Sequence, residues 1–186
     1  MICVKIGPKQ TAFFVHMALL EAKSDYFRTA FKGEWREIRE RVFELAEENV
    51  YVFNLFMNWL YSGKLLLSEN ADNSIFLVEA YLFGDRRGCG DFQNAVIDRL
   101  HEWWASRPAS AIKSETIQMV LSATEPDSKI SVFLTDFVVL RAHADTLLVQ
   151  CEDLTSTTTF DYVRAMYKAT LREKADAISL RTLSVP

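Results

Sequence analysis

The chain is poor in the residues that break or staple a fold. Its 186 residues include only 6 Gly and 4 Pro. A collagen, a linker-rich protein or a disordered chain needs far more of both. Cysteine is scarce too: Cys3, Cys89 and Cys151 are odd in number and far apart. That argues against a disulfide framework and for a reducing compartment, cytoplasm or nucleus. Three His and three Cys, with no CxxC and no HxxxH, predict no metal site. No nucleophile elbow, P-loop or H-E-x-x-H occurs, so no enzyme and no cofactor are expected. Long apolar runs are missing: none reaches the ~18 residues that would span a bilayer. Lys5 and Gly7-Pro8 interrupt the first one, so no signal peptide is expected. A surplus of positive charge is also missing. Lys and Arg number 21 against 25 Asp and Glu, a net charge of −4. Neither a nucleic acid nor an anionic membrane finds an electrostatic footprint here. Even the most basic stretch, Arg36 to Arg41, is interleaved with Glu37 and Glu40.

Aromatics, by contrast, are plentiful: 13 Phe, 6 Tyr and 4 Trp. With 49 % apolar and 25 % charged residues the composition is globular. The length suits one domain, or one plus an appendage. Such a chain buries roughly 70 % of its unfolded surface, so its core needs no covalent staples. The aromatic excess then means a dense core or a surface that meets a partner.

Periodicity sets out the elements. Ile2, Val4 and Ile6 alternate with Cys3 and Lys5, which predicts a strand. Gly7-Pro8 ends it, and Thr11 to Val15 is suited to the second strand of a hairpin. Met17 to Ala22 is a short helical patch. Ser24 can cap the next one, which carries Tyr26, Phe27 and Phe31 and stops at Gly33. Arg41 to Leu45 alternates again as a third strand. Asn49 is a good cap for a helix over 50–61, with Gly63 as its stop. Ser74 and Asp91 are candidate caps for two further helices, the second running to about Trp104 on a stripe of Phe92, Val96, Leu100 and Trp103. Pro108 marks a hinge, beyond which 116–123, 130–143 and 160–175 have helical patterns.

Several residues have two readings. Gly84 to Gly90 is Gly-rich, but a phosphate cradle requires a preceding strand, and here a helix precedes it; a helix-to-helix turn fits better. Cys89, within it, reads as a small packing residue. His16 reads as a buried turn histidine rather than a ligand, since no partner accompanies it. Trp103-Trp104 reads as core, with one ring on the apolar stripe. Trp35 sits in a charged connection between Gly33 and the third strand. Either it folds back on its own domain, or it is a docking anchor of the kind in which Trp is enriched.

The order of these elements resembles a known family. The run Phe13-Phe14-Val15-His16-Met17-Ala18-Leu19-Leu20, then Ser24-Asp25-Tyr26-Phe27 and Ala30-Phe31, is similar to the opening of the BTB/POZ domain. Val42-Phe43-Glu44-Leu45, Phe53 and Phe56 through Leu65 resemble its middle; Val78 to Gly84, Asp85, Asp91-Phe92 and Asn94 to Leu100 resemble its last core helices. The likeness covers residues 1–105 and is greatest to short fungal members with a helical tail, here 106–186. It implies an α/β fold of the α+β, mostly helical kind: a small sheet flanked by helical hairpins, plus a helical C-terminal extension. It implies function by protein binding. Members self-associate, many are substrate adaptors for cullin-based ubiquitin ligases, and others recruit transcriptional corepressors. Cullin-binding members carry an apolar-x-Glu triplet before the third strand, and Trp35-Arg36-Glu37 matches it. By that likeness Trp35 fills an apolar pocket, Glu37 makes a polar contact at its rim, and Tyr61 borders the surface. Dimeric zinc-finger members pair an acidic residue of the first strand with a basic residue after the His. Here Met17 follows His16 and no acid precedes Lys5, so that pair is absent. Met17 and Leu20 are what remains for an apolar homodimer interface. Relatives have a longer lead-in, so an upstream segment is expected.

Overall fold

The computed structural model describes residues 1–32, 41–67, 73–106 and 112–141. Strand β1 (Ile2–Ile6) forms where the apolar alternation predicts it, with Ile2, Val4 and Ile6 buried. Two-residue periodicity puts those three on one face and Cys3 and Lys5 on the other. β2 (Thr11–Val15) folds back antiparallel on β1, pairing Ile2 with Val15 and Val4 with Phe13. β3 (Val42–Leu45) joins the opposite edge in parallel, Cys3 beside Val42 and Ile6 beside Leu45. The order is therefore β2-β1-β3. A parallel neighbour requires a crossover, and helices fill it.

Those helices are α1 (Met17–Lys23) and α2 (Asp25–Ala30). Ser24 separates them: its hydroxyl accepts from the Phe27 N–H at 3.2 Å and donates to the Arg87 carbonyl at 2.6 Å. α3 (Val50–Ser62) starts at Asn49, whose side-chain oxygen accepts from the Tyr51 N–H at 2.9 Å. It ends at Gly63, φ +70°, in the left-handed conformation glycine adopts without penalty. α4 (Ser74–Arg86) and α5 (Gly90–Ala105) follow. Two expected caps shift by one residue. Ser74 is the first helical residue and Asn73 holds the cap position; Asp91 lies in the first turn of α5, one residue after its start.

Contacts divide the chain into two units, Met1–Trp103 and Trp104–Pro186. In the first, the aromatic surplus becomes core. Phe53, Phe56, Phe83 and Phe92 are fully buried. Phe56 meets Phe83 and Phe92 with ring centroids 5.2 Å away. A second cluster gathers Tyr26, Phe27 and Phe31 around Phe43 of β3, all within about 6 Å. In the second unit, α6 (Ser114–Ala123) and α7 (Lys129–Arg141) are described. Trp104 stacks on Phe133 at 5.7 Å and packs against Phe137. Both Trp103 and Trp104 are buried, where the helical stripe accounted for one. The segment 160–175 lies outside the described residues.

Candidate interaction surface

Trp35 and Glu37, the anchors read from the triplet, lie outside the described residues. They occupy the connection between α2, which ends at Ala30, and β3, which begins at Val42. The other three residues named from the sequence lie in described elements. Tyr61, in the last turn of α3, is 50 % exposed. Its hydroxyl accepts from the backbone N–H of His16 at 3.1 Å and lies 2.8 Å from that residue's Nδ1. The rings meet edge to face at 5.9 Å. His16 is thus exposed and partnered, not a buried turn histidine. Its partner lies 45 residues on, a separation no local pattern reveals. Met17 is half-buried, and Leu20 is fully buried in its own unit. Leu20 therefore presents no side-chain surface for a second copy, which corrects its reading as a self-association contact. It was named from the family likeness, and an apolar side chain on a short helix looks alike in sequence whether its own unit or another chain buries it.

One exposed aromatic was not singled out: Phe14, 65 % exposed. It stands on the sheet face opposite the core, in register with Cys3 and Val42, both half-buried. The next row of that face holds Ala12, Lys5 and Glu44, with Lys5 and Glu44 paired at 3.3 Å. The signal was present in the Phe13-Phe14 doublet: strand alternation must send one ring outward.

The Gly84–Gly90 stretch is the helix-to-helix turn expected. It docks on the start of α2, where the Asp25 and Tyr26 N–H groups donate to the Gly88 and Arg87 carbonyls. Gly88 has φ +58°, and an added Cβ would come within 2.9 Å of Asp25. Glycine is needed there for both reasons. Sequence reading missed Glu48, which anchors the turn from across the fold. Its buried carboxylate accepts from Arg86 Nη2 at 2.8 Å and from Arg87 Nη2 at 2.7 Å. Arg87 also lies over the Tyr26 ring, 4.4 Å from its centroid. Nearby, the Lys23 ammonium hydrogen-bonds Asp91 at 2.8 Å and holds its carboxyl below the usual carboxylate range.

Burial pushes the Cys89 thiol up to about 11, against the opposing pull of Ser24 and Arg87. A thiol so held is protonated and inert near neutrality. Iodoacetamide at pH 8 is expected to label Cys3 and spare Cys89 in the native chain, read by peptide mass spectrometry. The folded value lies above the thiol's usual 9.0. The unfolded chain then releases this proton first, so stability falls as pH rises from about 9 to 11. Cys89→Ala should flatten that part of the profile in chemical denaturation.

A shallow hollow of about 330 Å³ beside the end of α3 is lined by both signs of charge, Lys64 and Arg99 with Asp98 and Glu102. Among the described residues, no group of three or more His, Cys, Asp or Glu could hold a metal ion. No described helix is long and apolar enough to cross a membrane. What the described part of the first unit offers is surface: a small sheet with Phe14 exposed on the face away from the core.

Compared with models of known protein families, residues 2–86 match one of them. The match is to the BTB/POZ domain. No curated protein matches the chain significantly. The BTB match runs from β1 to the end of α4, so it takes in the whole sheet, Phe14, Tyr61 and the 33–40 connection. The fold is the α+β arrangement expected, and a BTB domain is a protein–protein interaction module rather than, in general, an enzyme.

Proposed function

We propose that this chain is an adaptor that docks a cullin scaffold through the connection between α2 and β3. The observation that supports the reading is the match to the BTB/POZ domain over residues 2–86, with Trp35-Arg36-Glu37 falling in the sequence between those two elements. Trp35 fills an apolar pocket on the scaffold and Glu37 makes a polar contact at its rim. Tyr61, half-exposed at the end of α3, borders the same surface. The adaptor works in the cytoplasm or nucleus and takes protein partners, not nucleic acid or membrane.

Isothermal titration of the intact chain with a cullin N-terminal region tests this. Wild type is expected to bind. Trp35→Ala combined with Glu37→Ala is expected to weaken binding at least tenfold, as loss of a buried Trp anchor does. Equal binding by the double variant removes the site assignment, and no binding by wild type removes the adaptor reading. The alternative is a scaffold or transcriptional cofactor that acts by self-assembly, with no ligase link. The exposed ring of Phe14 and half-exposed Met17 favour it.

A further inference from the structure

Five described residues have left-handed backbones, with φ between +50° and +70°. Three are glycines: Gly7, Gly63 and Gly88. Each of the other two is the last residue before a strand. Gln10, φ +50°, precedes β2 and closes the β1–β2 turn. Its N–H donates to the Gly7 carbonyl at 3.0 Å, and its side-chain oxygen accepts from Lys5 Nζ at 3.4 Å. Arg41, φ +54°, precedes β3 and is exposed. Its carbonyl accepts from the Cys3 N–H at 2.9 Å, so its backbone is tied to β1. Other arginines of the first unit have carboxylate partners: Arg28 with Asp25, Arg86 and Arg87 with Glu48, Arg99 with Glu102. Among the described residues no carboxylate pairs with Arg41.

A left-handed conformation brings Cβ close to the following carbonyl oxygen, so glycine and asparagine take such positions most readily. At Gln10 the turn and the Lys5 contact use the residue. At Arg41 the fold uses only the backbone, and glycine would supply the same bond to Cys3 without the crowding. Strained residues other than glycine gather where a chain meets a ligand. Arginine is enriched at binding hot spots, and its planar fork fits a carboxylate through two parallel hydrogen bonds. Arg41 also follows directly on the 33–40 connection, which carries Trp35 and Glu37. We infer that Arg41 is a further partner-binding residue, whose guanidinium pairs with a carboxylate on the protein docked at that connection. The contact rests on the docking reading proposed above and adds an acidic group to the partner's surface, beside the apolar pocket for Trp35. The bond to Cys3 and the restricted backbone hold the base of the side chain in one place before the partner arrives, so less freedom is lost on binding.

Isothermal titration of the intact chain with a cullin N-terminal region, at low and at high salt, is paired with urea unfolding of the same proteins. Arg41→Asn removes the charge and keeps a residue suited to the left-handed backbone. It is expected to unfold at the same or a higher urea concentration than wild type, and to bind about tenfold more weakly, the loss of one charge-assisted pair. Salt should weaken binding by wild type more steeply than binding by Arg41→Asn. Arg41→Lys, which keeps the charge but not the fork, should bind with an affinity between the two. If Arg41→Asn binds as wild type does, the contact is overturned and the docking reading stands. A loss of binding matched by a loss of stability also overturns it, since that marks a structural role. Wild type that does not bind removes the docking reading, and the contact with it.

Discussion

Phe56→Ala is expected to lower the unfolding free energy by about 3–5 kcal/mol, the cost of deleting a buried ring and leaving a cavity. That is a large share of the roughly 5–15 kcal/mol that holds a domain folded. Phe56 is fully buried on the inner side of α3. Its ring lies 5.2 Å from Phe83 of α4 and from Phe92 of α5, and about 6 Å from Phe53 and Trp59 on its own helix. Three helices thus converge on one side chain, and the stiff neighbours around it have little freedom to collapse into the space. Phe14→Ala is the internal control. It deletes the same atoms from a ring that is already mostly in water, and should change stability by no more than about 0.5 kcal/mol. Urea titration followed by far-ultraviolet circular dichroism reads both. A loss below about 1 kcal/mol for Phe56→Ala would mean that α3, α4 and α5 do not meet at this ring.

The contrast between these two phenylalanines also shows what sequence patterns convey. Ile2, Val4 and Ile6 alternate so regularly that β1 and its buried face were legible at once. Asn49 and Gly63 delimit α3 because capping chemistry is local: the Asn49 side chain reaches only two residues on. The residues 2–86 that match the BTB family lie within the 1–105 span of the resemblance. Contacts made across long stretches of chain were not legible. The Tyr61 hydroxyl and His16, or Glu48 and Arg87, are 45 and 39 residues apart, and no periodicity links them. Leu20 shows a third case. It was read as an interface residue on a short helical patch, and the patch does not say which surface buries an apolar side chain. Trp35 was singled out by its place in a charged connection and Glu37 by the family likeness; both lie outside the described residues, so the cullin titration is their test.

Glu48 gives the second large effect, and one with a characteristic asymmetry. Its side chain is 4 % exposed, while its partners differ sharply: Arg87 is 13 % exposed and Arg86 53 %. Breaking a buried pair costs more than the pair itself is worth, because the remaining charge is left without solvent or counter-charge. Glu48→Ala strands the Arg87 guanidinium, whose Nε is already buried with no hydrogen-bond partner among the described residues. A loss of about 3–5 kcal/mol is expected. Arg86→Ala removes a largely hydrated partner and should cost less than about 1 kcal/mol. A double-mutant cycle of Glu48 with Arg87 should therefore give a coupling well above the cycle of Glu48 with Arg86. The damage should also be local before it is global. Arg87 supplies the carbonyl that accepts from Ser24 and from the Tyr26 N–H, and neighbouring Gly88 accepts from Asp25. Losing Glu48 frees this turn from the start of α2, so the Asp25 and Tyr26 amides should exchange hydrogen faster in Glu48→Ala than amides of β1 do. Equal couplings for the two arginines, or unchanged exchange at Asp25 and Tyr26, would show that Glu48 does not hold the turn. Glu48→Gln separates charge from shape: its amide oxygen can still accept one guanidinium bond, so its cost should fall between that of Arg86→Ala and that of Glu48→Ala.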